Sequence, residues 1–141
     1  MNRNTVVLLT GILLIAAIAG CGCTKYADPV LDISHTITRV SEDPRSGNLT
    51  YDLAISIANT GTNNAYQVKI LAIISTPHDL PEYRFINSNI DIGDVPKGET
   101  RTHTERMVLP ATRENYDLII SGTRQPEVDI KPTEITSNIM G

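Results

Sequence analysis

The sequence is poor in aromatic residues, histidine and cysteine, and it has no excess of positive charge. It contains no Trp, one Phe and three His among 141 residues, and its 16 acidic residues outnumber its 12 basic ones. A net charge of −4 does not suit the neutralisation of a phosphate backbone, so nucleic-acid binding is not expected. Both cysteines, Cys21 and Cys23, lie near the N-terminus and cannot cross-link the rest of the chain. The length corresponds to about one domain.

The N-terminus has the layout of a secretory signal peptide. Arg3 precedes an almost wholly apolar run over residues 6–19. A helix over this run spans about 21 Å, which is shorter than the roughly 30 Å hydrocarbon core of a membrane. A basic start, a short apolar segment and small residues after it predict a cleaved signal over residues 1–20. The alternative that remains open is an uncleaved N-terminal anchor.

The residues at the end of the apolar run resemble the lipobox of prokaryotic lipoproteins. Ile18, Ala19 and Gly20 place one aliphatic and two small residues in front of Cys21. The peptidase needs small side chains beside the scissile bond, and the thioether to the lipid requires a thiolate. The resemblance implies lipidation of Cys21, with residues 21–29 as a tether. Because the net charge is negative, the lipid and not a basic patch would attach the chain to the membrane.

The chain after the tether follows a period of two, which is typical of half-buried β-strands. The clearest case is residues 49–58, where large apolar residues alternate with polar or small ones. Further strands are predicted over residues 31–37, 66–74, 90–92, 100–109, 116–120 and 128–130. No segment has the apolar spacing and caps of a helix. About seven short strands predict an all-β, immunoglobulin-like antiparallel β-sandwich over residues 30–131, followed by a flexible tail over residues 132–141.

Residues 55–70 and 86–100 resemble prokaryotic surface domains of the CARDB and FxLYD type. These domains are immunoglobulin-like sandwiches of extracytoplasmic proteins, often of archaea. Their pattern is a strand that ends in Asn-x-Gly, an Ala before the next strand and a later Pro-x-Gly-Glu turn. The matching positions are Asn59, Gly61, Ala65, Pro96, Gly98 and Glu99. The resemblance implies adhesion, scaffolding or ligand display, and it carries over no catalytic residue.

Residues that could support catalysis or metal binding are few. The three histidines have neither helical metal spacing nor a cysteine beside them. His103 and Glu105 share a face of a predicted strand, where we interpret them as solvated partners. Asp91 and Asp94 flank a Gly near a turn, but two acids are too few for a calcium site. The chain has no nucleophile elbow and no Gly-rich phosphate loop, so no catalytic activity and no cofactor are expected.

One modification site is predicted in the domain. Asn48 begins the acceptor sequence Asn-Leu-Thr beside a predicted turn, which makes it a candidate for glycosylation.

Two predicted strands are apolar on both faces, at residues 70–74 and 118–120. In an immunoglobulin-like sandwich the third and sixth strands are neighbours, so three of their side chains would form a contact surface on the outside of one sheet. These side chains are Leu71, Ile73 and Ile119. An apolar outer face has to be covered. Residues 77–86 would fold over it, or a partner protein or a second copy would cover it.

Together these features favour a binding or scaffold domain without catalytic activity. The lipid on Cys21 would anchor it to the extracytoplasmic face of the cell membrane, where it would meet a protein partner on the cell surface. The alternative is an extracytoplasmic metal-binding or enzyme-accessory lipoprotein.

We expect Cys21→Ser to abolish lipidation, because a hydroxyl cannot form the thioether. The precursor should stay uncleaved, or the domain should leave the membrane fraction. Intact-mass spectrometry of the membrane and soluble fractions measures both outcomes. Cys23→Ser is the matched control, because it leaves the lipobox unchanged. A wild-type N-terminus at another residue, without a lipid mass, would contradict the prediction.

Overall fold

The computed structural model describes residues 9–13, as backbone, and residues 28–137. The lipobox with Cys21 and the last four residues lie outside these ranges, as does most of the predicted signal peptide. The elements are β1 (Leu9–Leu13), β2 (Leu31–Asp43), β3 (Asn48–Asn59), β4 (Ala65–Ser75), β5 (Phe85–Val95), β6 (Thr100–Pro110), α1 (Arg113–Ile120) and β7 (Glu127–Ser137). Within the described ranges, no helix has the length and apolar character that crossing a membrane requires.

The strands form two antiparallel sheets. One sheet has the order β1-β2-β3-β6, and the other has the order β5-β4-β7. Strand β1 comes from the predicted leader, so residues 28–137 supply three strands to each sheet. The predicted all-β fold, an immunoglobulin-like antiparallel sandwich, is confirmed.

Strand β3 lies at the centre of the first sheet, and its buried residues begin the core. Every second residue from Leu49 to Ile57 is buried. The facing row from β4 consists of Val68, Ile70, Ala72 and Ile74, all fully buried. Burial of each large aliphatic side chain contributes about 1.5–3 kcal/mol. A slip of β3 by one residue would exchange its apolar and polar faces, so burial determines its register.

A buried asparagine ties two turns together at one end of the sandwich. The amide nitrogen of Asn59 donates to the carbonyls of Asn63 at 2.8 Å and Val95 at 2.9 Å. Its amide oxygen accepts from the backbone N–H of Gly61 at 3.1 Å. A Cβ on Gly61 would lie 2.5 Å from the backbone nitrogen of Val30, so this position needs glycine. The Asn-x-Gly sequence is therefore a structural element of the fold.

The predicted strand over residues 116–120 is wrong, because this segment belongs to helix α1. The side chain of Thr112 caps the first turn, and Gly122 after the last turn has a φ of +78°. The buried residues are Asn115, Tyr116 and Ile119, whose spacing is helical. The apolar residues at 116, 118 and 120 imitate a strand, and they obscured these start and stop signals. The expectation that no segment has the spacing and caps of a helix is therefore also wrong.

The predicted domain boundary at residue 131 is too early. Strand β7 continues to Ser137 and pairs with β4 along its length, with Pro132 opposite Ile70 and Ser137 opposite Ala65. Residues 132–137 therefore belong to the sheet and not to a tail. The alternation weakens here because polar residues separate Ile130 from Ile135.

We expect truncation after Lys131 to destabilise the domain by about 2 kcal/mol or more. It removes the last six residues of β7, with their hydrogen bonds to β4 and the packing of Ile135 against the core. Truncation after Ser137 is the matched control and should change the free energy of unfolding by less than about 0.5 kcal/mol. Urea unfolding of both variants measures the difference. Two equally small effects would contradict this assignment of residues 132–137.

Candidate functional site

The three residues of the predicted contact surface do not come together. Leu71 and Ile73 lie half-buried on the outer face of β4, as expected. Ile119 lies on α1 and is only 2% exposed, because the helix turns this side chain into the core. The predicted cluster of three is therefore wrong, and only its β4 half remains on the outer face.

The loop over residues 76–84 lies beside the outer face of β4, where Ile119 had been predicted. Its two ends are closed by a pair of hydrogen bonds. The N–H of Thr76 donates to the carbonyl of Arg84 at 2.8 Å, and the N–H of Arg84 donates to the Thr76 hydroxyl at 2.9 Å. Thr76 is fully buried, so this closure is protected from water.

A buried side chain of α1 holds the tip of the same loop. The amide nitrogen of Asn115 donates to the carbonyls of Pro81 at 2.8 Å and Glu82 at 3.2 Å. Asn115 is fully buried, and Glu82 has a φ of +57°, which a non-glycine residue adopts only where contacts impose it. The helix therefore determines the shape of the loop.

Three rings stack along the outer face, and we call them the aromatic ladder: His78, Tyr83 and Phe85. The ring centroids are 4.4 Å apart for His78 and Tyr83 and 5.9 Å apart for Tyr83 and Phe85. Tyr83 is 41% exposed and Phe85, the one Phe of the chain, is 52% exposed. Phe85 pairs with Ser75, two positions from Ile73, and so lies on the same face as Ile73.

Charged side chains border the aromatic ladder on strand β7. His78 forms a hydrogen bond with Glu127 through its Nδ1 atom. Asp129 and Lys131 form an ion pair of 2.7 Å in the rows next to Ile73 and Leu71. The hydrogen bond to Asp129, together with the charge of that residue, raises the pKa of the Lys131 ammonium, and the Tyr83 hydroxyl adds to this effect. An apolar centre with a charged border is the layout of a protein-binding surface.

The segment 77–86 covers the outer face only in part. Ser75 has the outward parity of β4 but is buried, and Leu80 is half-buried. Tyr83 and Phe85, by contrast, remain exposed. Cover of the outer face by residues 77–86 is therefore incomplete, because Leu71 and Ile73 stay half-buried and two rings of the segment add exposed apolar surface. The sequence signal for this surface was the spacing of Tyr83 and Phe85, because residues two positions apart in an extended chain share a face.

His103 and Glu105 join the two sheets. His103 Nε2 lies 3.1 Å from Glu105 Oε2, and the hydroxyl of Ser88 on β5 donates to Glu105 Oε1 at 2.8 Å. The hydrogen bond to His103 is the main cause that lowers the pKa of the Glu105 carboxyl, and the hydrogen bond from Ser88 adds to it. The two residues are partners, as predicted, but both are only about one-third exposed, so the expected open face is wrong. Their contacts close the β5–β6 side of the sandwich.

The other polar candidates have structural partners. Asp91 accepts the backbone N–H of Gly93 at 2.9 Å, and Asp94 accepts that of Gln67 at 3.0 Å. Gln67 and Gly93 have φ values of +51° and +76°, so the two acids support a bulge in the β4–β5 pair. Among the described residues, no three His, Cys, Asp or Glu side chains form a group that could hold a metal ion.

Two further sequence candidates lie on the first sheet. Asn48 is half-buried at the start of β3, and its backbone N–H donates to the hydroxyl of Ser46 at 3.3 Å. Whether this acceptor is modified stays a prediction. His35 lies opposite Ile55, which lies opposite His103 in the next strand. Burial lowers the pKa of the His35 imidazole.

Comparison with known proteins finds a structural likeness and no family. No family model matches the chain, and no curated protein matches it. A crystal structure of a Bordetella pertussis protein that has been given the name ApaA is similar, with a TM-score of 0.48 and 20% sequence identity. The likeness covers 79% of this chain and 94% of the other. At this level of similarity we draw nothing about function from it.

We expect Asn115→Ala to release the loop that carries Tyr83. The variant leaves two carbonyls without their donor, so the free energy of unfolding should fall by about 1–3 kcal/mol. Asn89→Ala, at an exposed position of β5, is the matched control and should change it by less than about 0.5 kcal/mol. Chemical denaturation measures stability, and amide exchange of residues 77–84 measures loop order. Unchanged exchange in Asn115→Ala would show that the helix does not hold the loop.

Proposed function

We propose that this chain is a lipid-anchored binding or scaffold domain at the extracytoplasmic face of the cell membrane. We further propose that it meets a protein partner through the aromatic surface, which we define as Leu71, Ile73, Tyr83 and Phe85 with His78 at its edge. The observation that carries the proposal is the pair of exposed, stacked rings: Tyr83 on a loop that a buried side chain holds in place, and Phe85 at the start of β5.

The composition of the chain makes these exposed rings informative. The whole sequence has five Tyr, one Phe and no Trp, and the core takes Tyr51 and Tyr116. Exposing neighbouring aromatic side chains forgoes hydrophobic burial worth about 25 cal/mol per Å². Aromatic residues are enriched where protein interfaces are fully desolvated, and rigid rings lose little conformational entropy on binding. A partner that covers Tyr83 and Phe85 together would recover the missing burial.

The order of the elements supports a location close to the membrane. The domain begins at β2 with Leu31, directly after the proposed tether. From Gly22 to Pro29 an extended chain reaches at most about 28 Å. A lipid on Cys21 would thus keep the domain close to the membrane, where the partner would itself be a membrane or cell-surface protein.

We expect a photo-crosslinking residue at Tyr83 to capture one defined partner in membranes. The matched control is the same residue at Thr102, an exposed position on the outer face of the other sheet, which should capture none. Tyr83→Ser combined with Phe85→Ser should abolish capture by a third crosslinker at Ile73, while the melting temperature shifts by only a few degrees. Equal capture at Tyr83 and Thr102, or capture that the double variant retains, would refute the aromatic surface as the contact site.

A further inference from the structure

The strand edges of the sandwich differ in how well they resist the addition of another strand. Charge, proline and bulges are the features that block such addition. Strand β5 has the bulge at Gly93, strand β6 has Arg101 and Glu105, and strand β7 has Lys131, Pro132 and Glu134. Strands β5 and β6 also contact each other through Ser88 and Glu105. These three edges are therefore protected.

The edge of β2 has none of these features over residues 33–37. The sequence there is Ile-Ser-His-Thr-Ile, with no Pro, Lys, Arg, Asp or Glu, and its pairing with β3 is regular. The one irregularity of β2 comes later, between Arg39 and Ser41. A straight and uncharged edge presents a row of backbone donors and acceptors that require partners.

The structure shows an extended segment paired with this edge. Strand β1 pairs antiparallel with β2 in a regular register, from Leu9 opposite Ile37 to Leu13 opposite Ile33. The segment reads Leu-Thr-Gly-Ile-Leu, so it is uncharged and rich in aliphatic residues. It belongs to the leader that we propose is removed, and its removal would leave the β2 edge without a partner.

The same side of the sandwich is incomplete in residues 28–137. An immunoglobulin-like sandwich has seven or more strands, and residues 28–137 supply six. Strand β7 pairs with β4 on one side and forms the edge of its sheet on the other. On β7, Val128 and Ile135 pack against the core but stay only partly buried. Helix α1 closes one end of this side, where Arg39 of β2 donates to the carbonyl of Ile119 at 3.3 Å. The stretch beside residues 33–37 lies beyond that closure.

We propose that residues 33–37 of β2 form a strand-acceptor site. In the full chain the site holds residues 9–13. After removal of residues 1–20 it binds an extended, uncharged, aliphatic-rich segment of a partner protein by antiparallel strand addition. Backbone hydrogen bonds supply the affinity, and alternate side chains beside Ile33 and Ile37 supply the selectivity. This inference rests on the proposed removal of the leader, but not on the aromatic surface.

The test uses the chain from residue 21 onward and a fluorescent peptide. The peptide has the sequence of residues 8–14 with two lysines added at each end. This chain retains the continuous core from Leu31 to Ile130. We expect saturable binding by fluorescence anisotropy, together with slower amide exchange in residues 33–37. The full chain should bind the peptide at least about tenfold more weakly, because its own leader competes at high effective concentration.

Two backbone-modified peptides serve as matched controls, because they keep every side chain. One is N-methylated at the residues equivalent to 10 and 12, and the other at those equivalent to 11 and 13. In strand pairing only one of these sets of N–H groups faces β2. One peptide should therefore lose about tenfold or more in affinity, and the other should lose little.

Three results would overturn the proposal. One is equal affinity of the two N-methylated peptides, and another is peptide-induced protection at residues 77–86 in place of 33–37. The third is a dimer of the chain from residue 21 in sedimentation with residues 33–37 protected, which would assign the edge to a second copy. Intact-mass analysis of the cellular protein tests leader removal separately, so failure of the anchor and failure of the acceptor site are distinguishable.

Discussion

Strict alternation of burial along β3 is the constraint on which the rest of this domain depends. The strand pairs with β2 on one side and β6 on the other, and every second residue from Leu49 to Ile57 faces the core. A shift of one position would bury polar side chains in both neighbouring pairs, so the register of the whole sheet follows from this strand. The second sheet then packs its own apolar row against a surface that is already defined.

The candidate binding surface depends on helix α1, in the connection where the apolar pattern had predicted a strand. Helix α1 connects β6 to β7, buries Ile119 and holds the 76–84 loop through Asn115. Because the loop is held, its rings stack on the outside of β4 and do not enter the core. Burial of the helix and exposure of Tyr83 and Phe85 are thus two results of one packing arrangement.

The two sides of the sandwich are closed by different means. On the β5–β6 side, the hydroxyl of Ser88 and the carboxylate of Glu105 form a hydrogen bond that links the two strands. On the β2–β7 side, α1 closes one end, and β1 is paired with the edge of β2 beside residues 33–37. A sheet edge has backbone groups that its own sheet does not pair, so the uncharged stretch of β2 is an edge that a further strand can join. The proposed loss of the leader would make that strand external.

Local pattern alone was sufficient for most strands and for the all-β class, and the proposed membrane address of the first residues also rests on it. These features depend on the period of apolar residues and on short motifs, which act between near neighbours in sequence. Residues 116–120 were misassigned because three apolar residues at alternate positions fit a strand as well as one turn of helix, and only the cap at Thr112 and the buried Asn115 decide between them. The extent of β7, the grouping of His78 with Tyr83 and Phe85, and the unprotected edge of β2 required the tertiary structure. Each of these depends on which distant segments lie side by side, and contacts of that kind leave no periodic trace in a single sequence.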